Sequence, residues 1–324
     1  MKSKKMVLWI ALIVIAIIPI YSQQYDDEKD FETVPDPDGK QGVIISKYLG
    51  SKRAVNIPQR IKNKPIIGIG GEAFKKKQLT SVTIPNSVTV IGQRAFEDNE
   101  LTSVIIPNSV TVIGHCAFAD NDLTSVTIPN NVIEIDSFAF QNNQITSIVI
   151  PNSITNIRDG MFLGNQITSI VIPNSVTNIG DYAFWDNQIT SIVIPNSVTN
   201  IGRNAFAKNQ ITSIVIPNSV TNIGDGAFWF NQITSIIIPN SVTNIGYQAF
   251  YFNQITNVTI SNSKTEIGIN AFGDNKITNV TILTNNLQID IGCGFPNEFV
   301  DIYKLNKLTG GTYRKDANNI WRKE

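Results

Sequence analysis

The sequence has little of what most enzymes use for chemistry. Its 324 residues include one histidine and two cysteines, and charged residues make up 16% of the chain, below the ~25% of an ordinary soluble domain. Lysine plus arginine equals aspartate plus glutamate, at 26 each, whereas nucleic-acid-binding proteins normally carry a basic excess. The composition therefore argues against metal chemistry and against a nucleic-acid-binding surface.

The few reactive side chains do not form a catalytic pattern. His115 and Cys116 are adjacent in sequence, and no third group that would orient the histidine accompanies them. Cys293 stands where the preceding repeat has Ala271, so we expect a small buried thiol that packs. Zinc needs about four ligands close together, and the sequence gathers none. We expect a non-enzymatic protein with no catalytic residue, no metal site and no cofactor.

Residues 1–22 have the order of a secretory signal peptide. Three lysines among the first five residues precede an apolar run of 16 residues, Met6 to Tyr21. This run is shorter than the ~20 residues of a transmembrane helix, so we predict a signal that is cleaved near Ser22, with an uncleaved anchor as the alternative. The predicted location is the secreted fraction or the cell surface, or else the periplasm, with no membrane span after cleavage.

A 22-residue repeat covers most of the chain. The pair Ala-Phe, the tripeptide Ile-Pro-Asn and a further asparagine each recur with this period. Such a period is typical of a solenoid, in which each repeat forms one turn and buries its apolar side against its neighbours. The repeated phenylalanines are Phe74, Phe96, Phe118, Phe140, Phe162, Phe184, Phe206, Phe228, Phe250 and Phe272, and the repeated asparagines are Asn99, Asn121, Asn143, Asn165, Asn187, Asn209, Asn231, Asn253 and Asn275.

One repeat, residues 188–209, shows where the strand is expected. Ile189, Ile192 and Ile194 have the spacing of a leucine-rich-repeat strand. Pro195 has no backbone N–H and therefore ends the strand. Side chains between these isoleucines are predicted to point outward, because side chains alternate along a strand.

The rest of the repeat predicts a corner and a ladder. Gly202 permits a bend before a short helical or 3₁₀ turn that buries Phe206. The amide of Asn209 can donate to and accept from backbone groups, which favours a ladder of stacked buried asparagines. Ten or eleven turns at ~4.8 Å extend ~50 Å. Cys116 and Cys293, eight turns apart, are then too distant for a disulfide, which needs Cα atoms within about 7 Å.

The residues of the repeat resemble those of a known family. Residues 101–114 read Leu-Thr-Ser-Val-Ile-Ile-Pro-Asn-Ser-Val-Thr-Val-Ile-Gly, and Ala117-Phe118 follow. Such units, over roughly residues 43–295, resemble the BspA-like leucine-rich-repeat family of bacterial surface proteins, many of which carry cysteine where this chain has its asparagine ladder. The resemblance implies a right-handed leucine-rich-repeat superhelix of short parallel strands with short helical or 3₁₀ turns, exposed at the surface and used in adhesion-type binding.

The sequence predicts a chain of five parts. A signal peptide, 1–22, precedes an acidic linker, 23–42, and an N-terminal capping repeat, 43–78. About ten 22-residue repeats make up the solenoid, 79–296, and a C-terminal cap, 297–324, follows. The capping repeat is basic, and its lysines and arginines either hold an anionic polymer or keep an exposed solenoid end from pairing with another edge. We expect a monomer.

Two outward surfaces are candidates for binding. The first lies just after Ala-Phe, where most repeats have charged or small residues but some have aromatic ones. Stacking of equivalent positions predicts one continuous patch there, which Tyr182 and Tyr247 extend, unless the rings only pack against the neighbouring turn. We name this set the aromatic patch: Trp185, Trp229, Phe230, Tyr251 and Phe252.

The second candidate is the outward side of the predicted strands. From Asn143 to Asn253 the chain has seven charged residues, and none of them lies on a strand. The alternative is that β-branched residues are present only because they favour strands. We name this row the strand stripe: Ile105, Val149, Val171, Val193, Val215 and Ile237.

These features lead to three functional hypotheses. The first is an adhesin or protein-interaction scaffold whose partner is a host matrix protein or a bacterial surface protein. The second is a carbohydrate-binding module, because sugars stack on exposed aromatic rings. The third is a structural spacer of the cell envelope that binds nothing specific.

Overall fold

The computed structural model describes residues 25–37, 39 and 42–324. The predicted signal peptide and its cleavage point lie outside these residues. The described chain is a stack of turns, here called rungs, of about 22 residues each. Equivalent residues of successive rungs lie side by side, as in the parallel register of Asn178 with Asn200 and of Asn200 with Asn222. The predicted repeat solenoid is confirmed.

The first strand row contains the strands that the repeat predicts. In each rung the apolar residues at the leucine-rich spacing point inward, and the residues between them are exposed, as in the exposed-buried-exposed pattern of Ser147–Val149. Within this row, some neighbouring rungs pair through a single β-bridge, such as that between Ser191 and Ser213. The strands of this row are Ala54–Asn56, Ser81–Thr83, Ser147–Val149, Ser169–Val171, Ser235–Ile238, Asn257–Ile260 and Asn279–Ile282.

A second strand row, which the sequence analysis did not predict, runs along another face. It is formed by two residues per rung, of which the isoleucine at the second position is buried in most rungs. So short a segment shows no alternation that could be recognised in a sequence. The strands of this row are Val90–Ile91, Val112–Ile113, Glu134–Ile135, Asn156–Ile157, Asn178–Ile179, Asn200–Ile201, Asn222–Ile223, Asn244–Ile245 and Glu266–Ile267.

The corner after each second strand is a pair of tight turns and not the predicted short helical or 3₁₀ turn. Asn204 and Lys208 have φ of 52° and 53°, and a right-handed helix cannot continue through such left-handed backbone. The N–H groups of Asn204, Phe206 and Lys208 donate to the next rung, and those of Ala205 and Ala207 close turns within their own rung. The corner is therefore a third ladder between rungs.

The glycine before this corner is required by close approach of two rungs. A Cβ atom on Gly202 would lie 2.6 Å from the carbonyl carbon of Gly180 in the preceding rung. Its backbone N–H donates to the carbonyl of Ile179 at 2.8 Å. The bend that the sequence analysis assigned to this glycine is thus also the place where neighbouring backbones touch.

A column of phenylalanine rings forms the centre of the core. Each ring from Phe74 to Phe272 is fully buried. Neighbouring centroids in the middle of the column, such as those of Phe184 and Phe206, are 5.4 Å apart with ring planes within 9° of parallel. The column continues into Tyr48 at one end and Phe295 at the other. The centre of this core therefore consists of equivalent phenylalanines from successive rungs that pack against one another.

The repeated asparagines form the predicted buried ladder. The Nδ2 group of Asn209 donates to the carbonyl of Phe184 in the preceding rung at 2.9 Å and to the carbonyl of Phe206 at 3.1 Å. Its Oδ1 atom accepts from the N–H of Ile189 at 3.0 Å. Equivalent bonds recur from Asn99 to Asn275. This prediction is confirmed.

At the N-terminal end, part of the predicted acidic linker is a strand. Phe31–Pro35 pairs antiparallel with Val43–Tyr48, and a 3₁₀ turn, Glu28–Asp30, precedes it. Phe31 is buried, with its ring 5.5 Å from that of Tyr48. The linker prediction is wrong for this segment, because an aromatic anchor and a free strand edge outweigh its acidic composition. The pairing continues through Lys64–Ile69, with Arg60–Ile61 beside it, into the second strand row.

Several basic residues of the N-terminal repeat are neutralised by ion pairs within the chain. Lys52 pairs with Asp26, and Arg53 pairs with Glu100. Lys75 lies 2.7 Å from a carboxylate oxygen of Glu97 in the next rung. These contacts favour a role of the basic cluster in holding the first rungs together over a role in holding an anionic polymer.

The C-terminal end is covered by aromatic residues. An α-helix, Asn297–Leu305, follows a 3₁₀ turn, Ile291–Cys293, and two strands, Gly311–Lys315 and Trp321–Lys323, pair antiparallel beyond it. The first of these strands also pairs antiparallel with the last strand of the first row. The rings of Phe299, Tyr303, Tyr313 and Trp321 pack together and are buried.

Burial of Tyr303 predicts a pH dependence of stability. Its hydroxyl donates to the carbonyl of Leu308 at 3.2 Å, and burial raises the pKa of Tyr303 to about 12. In the unfolded chain a tyrosine titrates near 10, so between about pH 10 and 12 only the unfolded state releases this proton. Stability should fall with rising pH across that window, and Tyr303→Phe should reduce the slope in denaturant titrations. Tyr25→Phe, an exposed control, should not, and equal slopes for both variants would contradict the assignment.

Candidate binding surfaces

The two cysteines and the histidine are placed as structural residues. Cys116 and Cys293 are both buried and free, so the prediction that they are not joined is confirmed. Burial raises the pKa of each thiol, which disfavours the reactive thiolate. The ring of His115 packs edge-on against Phe138 at 5.7 Å. Among the described residues no group of three or more His, Cys, Asp or Glu side chains could hold a metal ion.

The structure brings four of the five predicted residues of the aromatic patch into contact. Phe230 and Phe252 stack with centroids 5.0 Å apart and planes within 7°. Trp229 lies edge-on to Phe230 at 6.4 Å, and Tyr251 lies beside Phe252 at 6.1 Å. The two phenylalanines are about half exposed, at 50% and 48%, and the other two rings are half-buried. These four side chains occupy two consecutive rungs.

The fifth residue, Trp185, is connected to the patch by a lysine that the sequence analysis did not single out. The ammonium group of Lys208 lies 4.5 Å from the ring centroid of Trp185 and 5.9 Å from that of Trp229. The rung between these tryptophans has Ala207 at the equivalent position, and this alanine is buried. Cation–π contacts of this kind contribute about 0.5–1 kcal/mol at exposed sites. The patch therefore extends over four rungs with one positive charge inside it.

Contacts within the chain cover one ring face of three residues of the patch. The stacked faces of Phe230 and Phe252 cover each other, and Lys208 covers one face of Trp185. The ring of Tyr251 lies so close to Gly273 that a Cβ atom there would be 2.9 Å from it. A hydrogen bond with Asp274 raises the pKa of Tyr251. These contacts therefore leave the patch with fewer open ring faces than five isolated rings would have.

Phe230 and Phe252 have an uncommon backbone conformation. Their φ angles are 56° and 58°, in the left-handed region that bulky side chains rarely adopt. Other rungs place at this position residues that tolerate it better, such as Asp186 and Gly164. The two outer tyrosines differ: Tyr247 is exposed, whereas Tyr182 lies under the guanidinium of Arg203 at 5.6 Å.

The strand stripe is strongly exposed. Val193 and Val215 are 82% and 79% exposed, more than any side chain of the aromatic patch. A shallow groove of about 850 Å³ extends over four rungs, from Ser169 to Pro239, and four side chains of the stripe line it. Its lining consists of serine, isoleucine, valine, asparagine and proline. The groove is therefore uncharged and mainly apolar.

A polar groove, which the sequence analysis did not predict, lies on the same corner of the solenoid as the aromatic patch, in rungs nearer the N-terminus. It has about 510 Å³ and is lined mostly by asparagine, glutamine and aspartate, with Gly164 leaving a gap in the row. Within it Gln144 donates to Asp122 at 2.8 Å. The signal in the sequence is a glutamine that follows each ladder asparagine in six consecutive repeats: Gln144, Gln166, Gln188, Gln210, Gln232 and Gln254.

The repeats decide the family. The model of the BspA type leucine-rich-repeat region matches residues 67–190 and 177–295, in six copies. The chain belongs to this family. The resemblance of this chain to the family, described above from its sequence, is confirmed. A sequence comparison with curated proteins gives no match.

Solved structures of bacterial leucine-rich-repeat proteins are similar to this BspA-type chain. A leucine-rich-repeat protein from Bacteroides ovatus is 24% identical with a TM-score of 0.62, over 81% of this chain and 77% of that one. A leucine-rich cell surface protein from Faecalibacterium prausnitzii is 26% identical with a TM-score of 0.59, over 79% and 75%. The pneumococcal vaccine antigen PcpA is 19% identical with a TM-score of 0.53, over 85% and 80%. The first and third show the shared fold alone.

No helix among the residues that the structure describes is long and apolar enough to cross a bilayer. The apolar run Met6 to Tyr21 lies outside the described residues.

Proposed function

We propose that this protein is a secreted or surface-exposed, non-enzymatic adhesin or interaction scaffold that binds a protein partner through the aromatic patch. A solenoid holds side chains of successive rungs at a fixed spacing. The core of this one repeats nearly unchanged, so differences between rungs are concentrated in outward positions. Binding specificity would then come from the few rungs whose corners are aromatic.

The observation that carries the proposal is the backbone conformation of Phe230 and Phe252. A bulky residue in the left-handed region costs of order 1–3 kcal/mol, and both rings remain about half exposed. Their packing therefore does not recover the full benefit of burying an aromatic ring. Aromatic residues held at a cost in stability on a surface fit a binding role, because such residues are the commonest hot spots of protein interfaces.

The orientation of the rings favours a protein partner over a sugar. A sugar ring needs an open aromatic face on which to stack, and one face each of Phe230, Phe252 and Trp185 is already covered. Ring edges and half-buried rings suit the side chains of a protein surface. The polar groove beside the patch is the feature that supports the carbohydrate alternative, since its amides and carboxylates could bind hydroxyl groups.

A location outside the cytoplasm is supported by two observations. The first is the order of lysines and apolar residues in 1–22. The second is the similar fold of a leucine-rich cell surface protein from Faecalibacterium prausnitzii. Secretion, display on the cell surface and the periplasm remain alternatives within the proposal, and fractionation of the native cells distinguishes them.

The double substitution Trp229→Ala with Tyr251→Ala tests the site. The partner is first selected from immobilised extracellular-matrix proteins and bacterial surface proteins, with a glycan array run in parallel. We expect the substitution to weaken binding to the selected protein at least about thirtyfold, because two hot-spot rings are lost. The melting temperature should stay nearly unchanged, since both rings are only half-buried.

The matched control is the double substitution Val171→Ser with Val193→Ser on the strand stripe, measured at a protein concentration at which the chain is monomeric. It should leave binding unchanged. If this control abolishes binding and the aromatic pair does not, the partner binds the strand face. Binding to the array alone would favour the carbohydrate module, and no binding in either assay would favour the structural spacer. Unfolding of the aromatic variant would show that the rings serve packing.

A further inference from the structure

Five consecutive rungs of the strand stripe leave an unusually apolar surface open. Val149, Val171, Val193, Val215 and Ile237 are between 61% and 82% exposed. Their inward neighbours in the same strands are already packed in the core, so the stability of the solenoid does not explain the outward ones. Contiguous apolar surfaces of several hundred Å² on a soluble protein usually mark a contact site.

This surface consists of one ridge and one groove. The side chains of the strand stripe form a ridge along the stack, and the serines two residues earlier in each strand form a lower row. The groove of about 850 Å³ is lined by residues of both rows, so the ridge forms one of its walls. Ridge and groove belong to the same face, so the face is complementary to a copy of itself shifted sideways by the distance between ridge and groove.

We propose that this face binds the same face of a second copy of the chain. A two-fold axis parallel to the stack would place the ridge of each copy in the groove of the other, as when two β-sheets pack about 10 Å apart with interdigitating side chains. Both copies have the same spacing between rungs, so the ridges stay in register over all five rungs. The contact is isologous and closes after two copies.

The charge of the face fits an identical partner. A charged residue near a two-fold axis meets its own copy, and like charges across an interface are costly. The groove has no charged residue in its lining, and the seven charged residues between Asn143 and Asn253 all lie outside the strands. A basic or acidic partner would find no complementary group here, and a sugar would find serine hydroxyls but no aromatic ring.

The size of a minimal specific interface sets what the face must supply. Such an interface buries about 1,000 Å² in total, so each copy would contribute about 500 Å² from the five side chains and their serine and threonine neighbours. Interfaces at this lower limit are typical of weak, reversible association and not of a permanent dimer. The monomer expected from the sequence would then hold only in dilute solution.

The proposed dimer leaves the aromatic patch accessible. Phe230 and Ser235 are five residues apart in sequence, with exposed Gln232 and Thr234 between them, so the patch lies around a corner from the strand face. The dimer is therefore independent of the proposed function, and either of them can fail without the other. In a dimer the two patches would belong to one particle, which would strengthen binding to an immobilised partner.

Sedimentation velocity of the full chain, without any partner, tests the dimer. Between about 1 and 300 µM the wild type should shift from one to two chains per particle. Added salt should not reverse the shift, because no ion pair holds the interface. Val193→Asp with Val215→Asp should weaken the association at least about thirtyfold, since four carboxylates would meet across the axis. The substituted sites are exposed, so the melting temperature should change little.

The matched control is the aromatic pair, Trp229→Ala with Tyr251→Ala, which should dimerise like the wild type. A wild type that stays monomeric throughout the range overturns the proposal. It is equally overturned if the aspartate variant dimerises normally or if the aromatic variant is the one that fails to dimerise.

A crosslinking variant locates the contact. Cys116 and Cys293 are buried, so Val193→Cys would supply the reactive thiol of the folded protein. A short bis-maleimide should join two such chains in a concentration-dependent way, whereas the same change at the exposed Ile133, off the stripe, should give no more crosslinks than the wild type. Equal crosslinking from both positions would show collisions and not the proposed interface.

Discussion

Replacing Phe206 by alanine is expected to lower the free energy of unfolding by about 3–5 kcal/mol. Its ring is fully buried and lies 5.4 Å from the ring of Phe184 and 5.6 Å from that of Phe228. Backbone hydrogen bonds on both sides hold the neighbouring rungs at this spacing, such as the bond from the N–H of Phe206 to the carbonyl of Ala227. The rungs cannot close over the cavity, so most of the lost contact energy remains lost.

Phe252→Ala is the matched control for this change, because it removes the same side chain from a half-exposed site. It should cost under about 1 kcal/mol. Chemical denaturation measures both values, and hydrogen exchange shows whether the loss is confined to the rungs around Phe206, as expected of a chain whose rungs contact only their neighbours. Equal losses for the two variants would contradict the assignment of the phenylalanine column as the centre of the core.

Asn209→Ala is expected to cost about 1–3 kcal/mol, because buried backbone groups lose their partners. The carbonyls of Phe184 and Phe206 would lose a donor, and the N–H of Ile189 would lose its acceptor. These groups are buried between rungs, where water does not readily replace the amide. Thermal and denaturant unfolding give the loss directly.

Asn196→Ala serves as the comparison, since this asparagine is exposed in the loop after Pro195. It should cost only a few tenths of a kcal/mol. A similar loss at both positions would mean that the ladder contributes nothing beyond the general effect of removing an asparagine. Asn209→Asp adds a further test, because a buried carboxylate cannot donate to the two carbonyls and should be at least as destabilising as alanine.

The repeating period allowed the core of this fold to be predicted from sequence. Phe206 and Asn209 were assigned to the interior because the same residue types recur in every repeat, and a stack places equivalent residues together. Ile192 and Ile194 followed from the spacing of a leucine-rich strand, with Pro195 as its end. Each of these predictions depends on a pattern that extends over many rungs, so that a local exception has little weight.

The second strand row and the corner turns could not be predicted in the same way. Asn200–Ile201 is a strand because its neighbours in the stack pair with it, and two residues carry no periodicity of their own. The left-handed conformation of Asn204 and Lys208 depends on bonds to the next rung. The strand Phe31–Pro35 likewise exists because a solenoid end offers it an edge.

The candidate site was predictable in its composition and not in its geometry. The sequence places Trp229, Phe230, Tyr251 and Phe252 on adjacent rungs, and the structure finds them in contact. The position of Lys208 between two tryptophans and the covering of ring faces depend on side-chain rotamers. These details are the basis on which we propose a protein partner over a sugar, and a stack of equivalent positions does not contain them.

The repeated asparagines, serines and threonines donate between rungs in one direction along the chain. Asn209 donates to Phe184, Ser197 to Val176 and Thr199 to Thr177, so each of these side chains reaches back to the rung before its own. During synthesis, a rung that has just emerged would therefore find its side-chain acceptors in a rung that is already folded. Growth from the N-terminus can proceed one rung at a time, and a chain shortened by whole repeats from its C-terminal end would retain every such bond in the rungs that remain.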